Sequence, residues 1–281
     1  MQVLRDQSSC PRPPEGSAVT IGAYDGVHLG HQAVIAEVRR RAEARGLRSA
    51  VVTFDRHPAS VVRPESAPRL LTDLEQKLEL LGATGVDYGL VVTFDAARSR
   101  ESADDFVREV LVGCLNARVV VVGEDFHFGH NRTGNVTRLT ELGAQLGFEV
   151  EGVELVGVAG RPVRLVDQVS STRIRRALTG GDLEEATSLL GRPHEVRGRA
   201  LPAGIAVPPD ILLPAAGAYA GWSEDGDGAV HPAVLRVAGV GHVVAAELLD
   251  GVESHPTKVR FVARLQGEDD RDEARRILDK P

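Results

Sequence analysis

Cysteine, methionine, tryptophan and long apolar runs are all scarce in this chain of 281 residues, which has 2 cysteines, 1 methionine and 1 tryptophan. Two cysteines cannot build a disulfide-dense scaffold, and neither has a metal-ligating neighbour at suitable spacing. Cys114 falls on the apolar stripe of an expected helix, so it reads as a core residue rather than a disulfide partner. No apolar run reaches the roughly 18 residues of a membrane span, and no membrane partner is expected. The first residues lack a basic-then-apolar leader, which makes a cytoplasmic location the expectation. Aromatics amount to 4%, too few for a basic surface with rings interleaved for stacking on single strands. A net charge of −7 likewise argues against a general nucleic-acid binder. It leaves room for a small anionic substrate, because a few arginines and N–H groups can make a local positive site. Repeats and low-complexity tracts are absent.

What is present is the composition of a globular protein, 42% hydrophobic and 26% charged, in a length that suits one large or two ordinary domains. Residues 1–17 carry three prolines and read as a lead-in. Ala18-Val19-Thr20-Ile21 then reads as a buried strand, followed by Gly22-Ala23-Tyr24-Asp25-Gly26-Val27-His28-Leu29-Gly30-His31. Val34, Val38 and Ala42 fall on one helical stripe. A strand that ends in a glycine-rich turn and opens a helix aims free N–H groups and a helix dipole at one point, which suits a phosphate. The two imidazoles add donors at H-x-G-H spacing. A commonplace turn with surface histidines would give the same string, so the reading leans on stretches downstream.

Ser49 to Phe54, Tyr88 to Phe94 and Arg118 to Val122 are further apolar strands. Between them, Thr72 and Glu75 form an expected capping box ahead of Leu74, Leu78 and Leu81. Phe106, Val110 and Cys114 mark another helix. Apolar strands alternating with amphipathic helices indicate a parallel sheet covered on both faces, with ligands beyond the strands' carboxyl ends. The loops after the first, second and fourth of these strands should converge there. The last of them, Gly123 to Gly134, packs acidic, aromatic, basic and glycine residues together; its His127 and His130 lack an evident third metal ligand. A helix near 135–146, a strand near 148–156 and a short strand at 163–166 follow. Val169-Ser170-Ser171-Thr172-Arg173-Ile174-Arg175 then opens a helix with three hydroxyls and two arginines, a second anion site. An ordinary serine cap needs only one hydroxyl. From about residue 194 the pattern changes to the short strands of a small antiparallel barrel, and a charged tail helix begins near 269.

Four stretches in order, Gly22–His31, Thr53–Pro58, Gly123–Gly134 and Val169–Arg175, together with Gly180 to Pro193, resemble the bacterial FAD synthetases, usually bifunctional riboflavin kinase/FMN adenylyltransferases. The resemblance covers roughly residues 15–195. It implies a Rossmann-like nucleotidyltransferase domain over 1–190 and a riboflavin-kinase-like β-barrel over 191–281. It implies AMP transfer from ATP to FMN with Mg²⁺. His28, His31 and Arg173 are then the candidate catalytic residues. Gly22, Asp25, Gly26 and both histidines, with Gly123 and Asp125, would face ATP, and Ser170, Ser171, Thr172 and Arg173 its outer phosphates. Phe54, Asp55, His57 and Pro58, with Phe126, Phe128 and Arg132, would border the flavin. No protein metal ligand is assigned.

Departures from the pattern fall mostly on the flavin side: the family commonly has Asn at Ala23, Phe at Tyr24 and often Arg at His127. In the barrel, Pro214 to Trp222, Glu247 to Asp250 and Val259 to Val262 match the kinase in outline. Its Gly-rich loop and Pro-Thr-Ala-Asn motif are missing from Arg197 to Pro209, and Val237 to His242 replaces a second conserved segment. Glu268 roughly matches the kinase's base without the Phe that follows it. The expectation is an FMN adenylyltransferase without riboflavin kinase activity. Two alternatives stay open: transfer to another phosphorylated acceptor, and a non-catalytic flavin- or nucleotide-binding regulator.

Overall fold

Val119, Val120, Val121 and Val122 are consecutive and all essentially buried, which only a strand covered on both faces allows. In the computed structural model, which describes residues 1–5, 10–153, 169–239, 241–252, 254–267 and 270–279, alternate members of this run enter different cores. Val119 and Val121 pack with Val38 and Ala42 of one helix. Val120 and Val122 pack with Val107, Leu111 and Leu139 of two others. Burying a valine contributes roughly 1.5–3 kcal/mol, so this strand is a major anchor of the sheet.

The chain forms two compact units, Met1–Pro68 with Leu74–Val169, and Arg69–Asp73 with Ser170–Pro281. The first contains β1 (Gln2–Leu4), β2 (Ser17–Ile21), α1 (Leu29–Arg45), β3 (Arg48–Phe54), α2 (Leu74–Ala83), β4 (Tyr88–Val92), α3 (Ala103–Phe106, continuing through Val107–Cys114), β5 (Ala117–Gly123), α4 (Val136–Leu146) and β6 (Glu149–Val153). The six strands pair in parallel in the order β1-β4-β3-β2-β5-β6. The order reverses at β2, the sort of switch point where open α/β sheets hold ligands.

Several expectations change here. The lead-in contains β1, whose Leu4 is buried at the sheet edge. Cys114 is buried as expected, but it is also disulfide-bonded to Cys10, with Cα atoms 4.8 Å apart. The lead-in runs back along the end of α3, where the Arg12 N–H donates to the Cys114 carbonyl (3.0 Å) and Asn116 Nδ2 to the Pro13 carbonyl (2.8 Å). Spacing alone could not show that return. Glu75 turns both carboxylate oxygens to Arg5 (2.7 and 2.9 Å) rather than back along its helix. The strand expected at 163–166 lies outside the described residues, as does Glu268.

The second unit holds α5 (Ser171–Gly180), α6 (Leu183–Leu190) and seven strands: β7 (His194–Arg197), β8 (Arg199–Leu201), β9 (Gly204–Ala206), β10 (Gly217–Asp225), β11 (Val230–Val237), β12 (Val243–Leu248) and β13 (Pro256–Arg264). They form one antiparallel sheet in the order β8-β9-β12-β11-β10-β13-β7. The tail helix α7 (Asp270–Leu278) buries Ala274 and Leu278 against Ala220 and Val234. By compactness α5 and α6 go with this sheet; the Ala215 N–H, for one, donates to the Leu178 carbonyl (2.9 Å). Among the described residues no helix is long and apolar enough to cross a membrane.

Candidate active site

The chain leaves β2 through a loop held by its own main chain. The Gly22 N–H donates to the Val52 carbonyl (3.0 Å). The Ala23 carbonyl accepts from Thr53 Oγ1 and from Lys77 Nζ, each at 3.2 Å. Tyr24 and Val27 both lie in the left-handed region, at φ 50° and 39°, and Gly26 is there too at 83°. That conformation is unfavourable for a β-branched residue, and such strain tends to collect where a loop is shaped for a ligand. Tyr24 is buried, and its hydroxyl pairs with Thr20 Oγ1 at 2.7 Å. The buried hydroxyl thus has a partner of its own. Burial raises its hydroxyl pKa above the ordinary 10.0, so the ring stays neutral.

His28 is the N-cap of α1: its Nδ1 accepts the His31 N–H at 3.3 Å. This places the imidazole hydrogen of neutral His28 on Nε2. The two rings stack with centres 3.6 Å apart, and Tyr24 meets His31 edge-on at 4.9 Å. His31 Nδ1 is enclosed without a hydrogen-bond partner among the described residues. Its pKa is held well below the ordinary 6.5, first by desolvation, then by His28 and by the Lys77 ammonium. Gly30 fits tightly: a Cβ there would stand 3.1 Å from the Val169 carbonyl oxygen and 3.2 Å from the His28 ring.

Asp55 accepts the Phe94 N–H at Oδ1 (2.8 Å), which ties the loop after β3 to the end of β4. Phe54 meets Phe94 edge-on at 5.3 Å. His57 Nδ1 accepts the Ala59 N–H (3.1 Å), and Pro58 precedes a single helical turn. Parallel pairing puts the ends of β3, β2 and β5 on one edge of the sheet, so the three loops leave it side by side. Beyond β5, Gly123 leads to exposed Asp125. Phe126 and Phe128 stack at 5.3 Å and pack against the core, while Arg132 is exposed. This loop leans on the start of α3: the His130 N–H donates to the Glu101 carbonyl (2.9 Å), and a Cβ on Gly129 would strike Ala103.

In the second unit, Ser170 Oγ caps α5 by accepting the Arg173 N–H (3.3 Å). Arg173 Nε donates to Glu185 at 2.7 Å. Ser171 is half-buried and Thr172 exposed. Among the described residues no three of His, Cys, Asp and Glu are grouped as metal ligands.

Sequence reasoning passed over Lys77. Its signal was a lone cation four residues before Leu81, on the apolar stripe of α2.

A family model described as FAD synthetase matches residues 10–172. The bifunctional riboflavin kinase/FMN adenylyltransferase of Pseudomonas fluorescens is 39% identical over 201 residues, covering 72% of this chain and 62% of that protein. The protein of the same name from Listeria monocytogenes is 39% identical over 215 residues, covering 72% and 66%. That from Escherichia coli is 37% identical over 187 residues, covering 66% and 58%. The matches thus span about three fifths of the length of these relatives. A crystal structure titled as a macrolide-efflux protein from Streptococcus pneumoniae shares the fold, with a TM-score of 0.77 at 22% identity over 98% of this chain and 95% of that one.

Proposed function

This chain belongs to the FAD synthetase family, and from that membership we propose that it transfers the AMP of ATP to the phosphate of FMN. A phosphate oxygen of FMN attacks the α-phosphorus, the bond to the β-phosphate breaks, and FAD and pyrophosphate result. The attacking group belongs to the substrate, so the protein supplies position and charge compensation rather than a nucleophile. The observation that carries the reading is the stacked pair His28–His31 at the N-terminus of α1, at the switch point of the sheet. Such a terminus offers N–H groups and a dipole to phosphate. A neutral His31, with its hydrogen available, stabilises charge growing on the α-phosphate without changing its own protonation.

Ser170 to Arg173 are assigned to the β- and γ-phosphates. The support is a capped helix start that carries a guanidinium. Asp25, Gly26, Gly123 and Asp125 are assigned to ATP. Phe54 to Pro58, with Phe126, Phe128 and Arg132, are assigned to the flavin side. The chemistry of the donor set fits a divalent ion that arrives on the nucleotide, as Mg²⁺ commonly does, held by phosphates with at most Asp25 or Asp125 beside it. When bound, the ion would offset phosphate charge. A cytoplasmic setting belongs to the same reading.

The second unit is proposed to lack riboflavin kinase activity. Residues 197–209 contain no Ser, Thr, Asn or Asp to hold a metal or phosphate. The test is one incubation with ATP and MgCl₂ plus either FMN or riboflavin. FAD from FMN alone supports both assignments. No FAD from FMN overturns the first, and FAD from riboflavin overturns the second.

A further inference from the structure

Lys77 is only 7% exposed, an unusual place for an ammonium. Its neighbours on the inward face of α2, Leu78 and Leu81, show what the position would otherwise hold. Taking an ammonium out of water is costly unless its hydrogens and charge are matched. Here Nζ donates to the Phe54 carbonyl at 2.8 Å and to the Ala23 carbonyl at 3.2 Å. Those oxygens lie at the last residue of β3 and in the loop after β2, where the residues assigned above to flavin and to phosphate begin. Thr53 Oγ1 shares the Ala23 carbonyl, so strand, loop and helix meet at one oxygen. The carboxylates of Asp25 and Asp55 are the charged groups acting on the ammonium. Desolvation outweighs them and brings its pKa down to about 8.

We propose that Lys77 is a positioning residue for adenylyl transfer: its ammonium fastens the loop after β2 to the end of β3 and keeps a positive charge close to His31. The proposal rests on the adenylyltransferase reading, and it goes beyond it by assigning a role to a helix residue outside the four recognised stretches. The Ala23 carbonyl that Nζ holds adjoins Tyr24, whose ring meets His31 edge-on at 4.9 Å, and the ammonium acts with His28 to lower the His31 pKa. A lysine that merely filled space would do neither job.

The test compares Lys77→Met, which matches the length but neither donates nor carries charge, with Lys77→Arg and Lys77→Gln. The readouts are steady-state FAD formation and the titration of His31 by NMR in protein labelled at histidine Cε1, with the signal assigned from a His31→Gln variant. Loops displaced by about an ångström are expected to lower kcat roughly 10²-fold in Lys77→Met. Lys77→Arg keeps the charge and donors and is expected to recover most of that loss. In Lys77→Met the His31 titration moves up toward 6.5, and in Lys77→Arg it stays low. Lys77→Gln, the variant to use should Lys77→Met fail to fold, keeps a donor without the charge, so it too moves His31 upward. A folded Lys77→Met or Lys77→Gln with kcat and His31 titration as in the parent overturns the proposal. If the parent protein makes no FAD from FMN, the adenylyltransferase reading falls by itself, and the His31 titration still decides whether Lys77 sets the charge there.

Discussion

The imidazole of His28 lies on that of His31 with the ring planes 15° from parallel, and its Nδ1 takes the N–H of the same residue. One side chain thus caps a helix and backs a second ring. The two tasks can be separated. His28→Ala is expected to lower stability by about 1 kcal/mol through the lost cap. His28→Asn supplies a good cap again and should regain that stability while FAD formation stays low. Urea unfolding and a coupled pyrophosphate assay on the two variants check this.

In the proposed reaction His31→Ala removes one donor from the reacting phosphate. A loss of about 10²–10³ in kcat is expected, the size found when a single preorganised donor is deleted. Retention of near-normal AMP transfer would take His31 out of the mechanism.

Gly30→Ala should act against helix propensity. Alanine inside a helix ordinarily stabilises by about 1 kcal/mol. Here its Cβ would press the Val169 carbonyl at 3.1 Å and the His28 ring at 3.2 Å. The expected result is a loss of about 1–3 kcal/mol from overpacking, with a fall in kcat as the ring is pushed aside. Thermal unfolding and single-turnover AMP transfer measure the two effects.

Acid should weaken the second unit through His194. It is buried, its Nε2 bonds to the Leu212 carbonyl (3.0 Å), and its ring stacks near Phe261. Desolvation brings its pKa down to about 4 from 6.5. A histidine with a depressed folded pKa favours the native state only while neutral. Its contribution is therefore complete above 6.5 and is lost as the pH falls toward 4. The loss amounts to about 3 kcal/mol. His194→Gln, unfolded in urea at pH 7 and at pH 4.5, should show a smaller drop than the parent.

Reduction should destabilise the first unit. The Cys10–Cys114 bond spans 104 residues of sequence, and closing so long a loop limits the unfolded chain. A cost of about 2–5 kcal/mol on adding dithiothreitol is expected. Thiol titration of the unfolded protein should find none before reduction and two after.

The sheet was legible because its signal is repeated: the valines of β5 could satisfy only a strand covered on both sides, and the turn before α1 carries its glycines and histidines within one short stretch. The edge strand β1 was not, since three residues among prolines have no period to read. Cys114 and Glu75 depart from their expected roles for a shared reason. Their partners, Cys10 and Arg5, are 104 and 70 residues away in sequence, and local spacing carries no trace of such pairs. His28 and Gly30 could be picked out, but not the way one ring takes the cap position and the other residue's missing side chain admits a carbonyl. Lys77 escaped notice because a lysine in a helix is ordinarily solvated, and burial depends on what the neighbouring loops present to it.

The Ala23 carbonyl, which holds two donors, frees the residue that bears it. These two bonds are made to the main chain, so they do not depend on which side chain stands at this point. A library confined to position 23 would sample acceptor preference on a frame held by main-chain bonds.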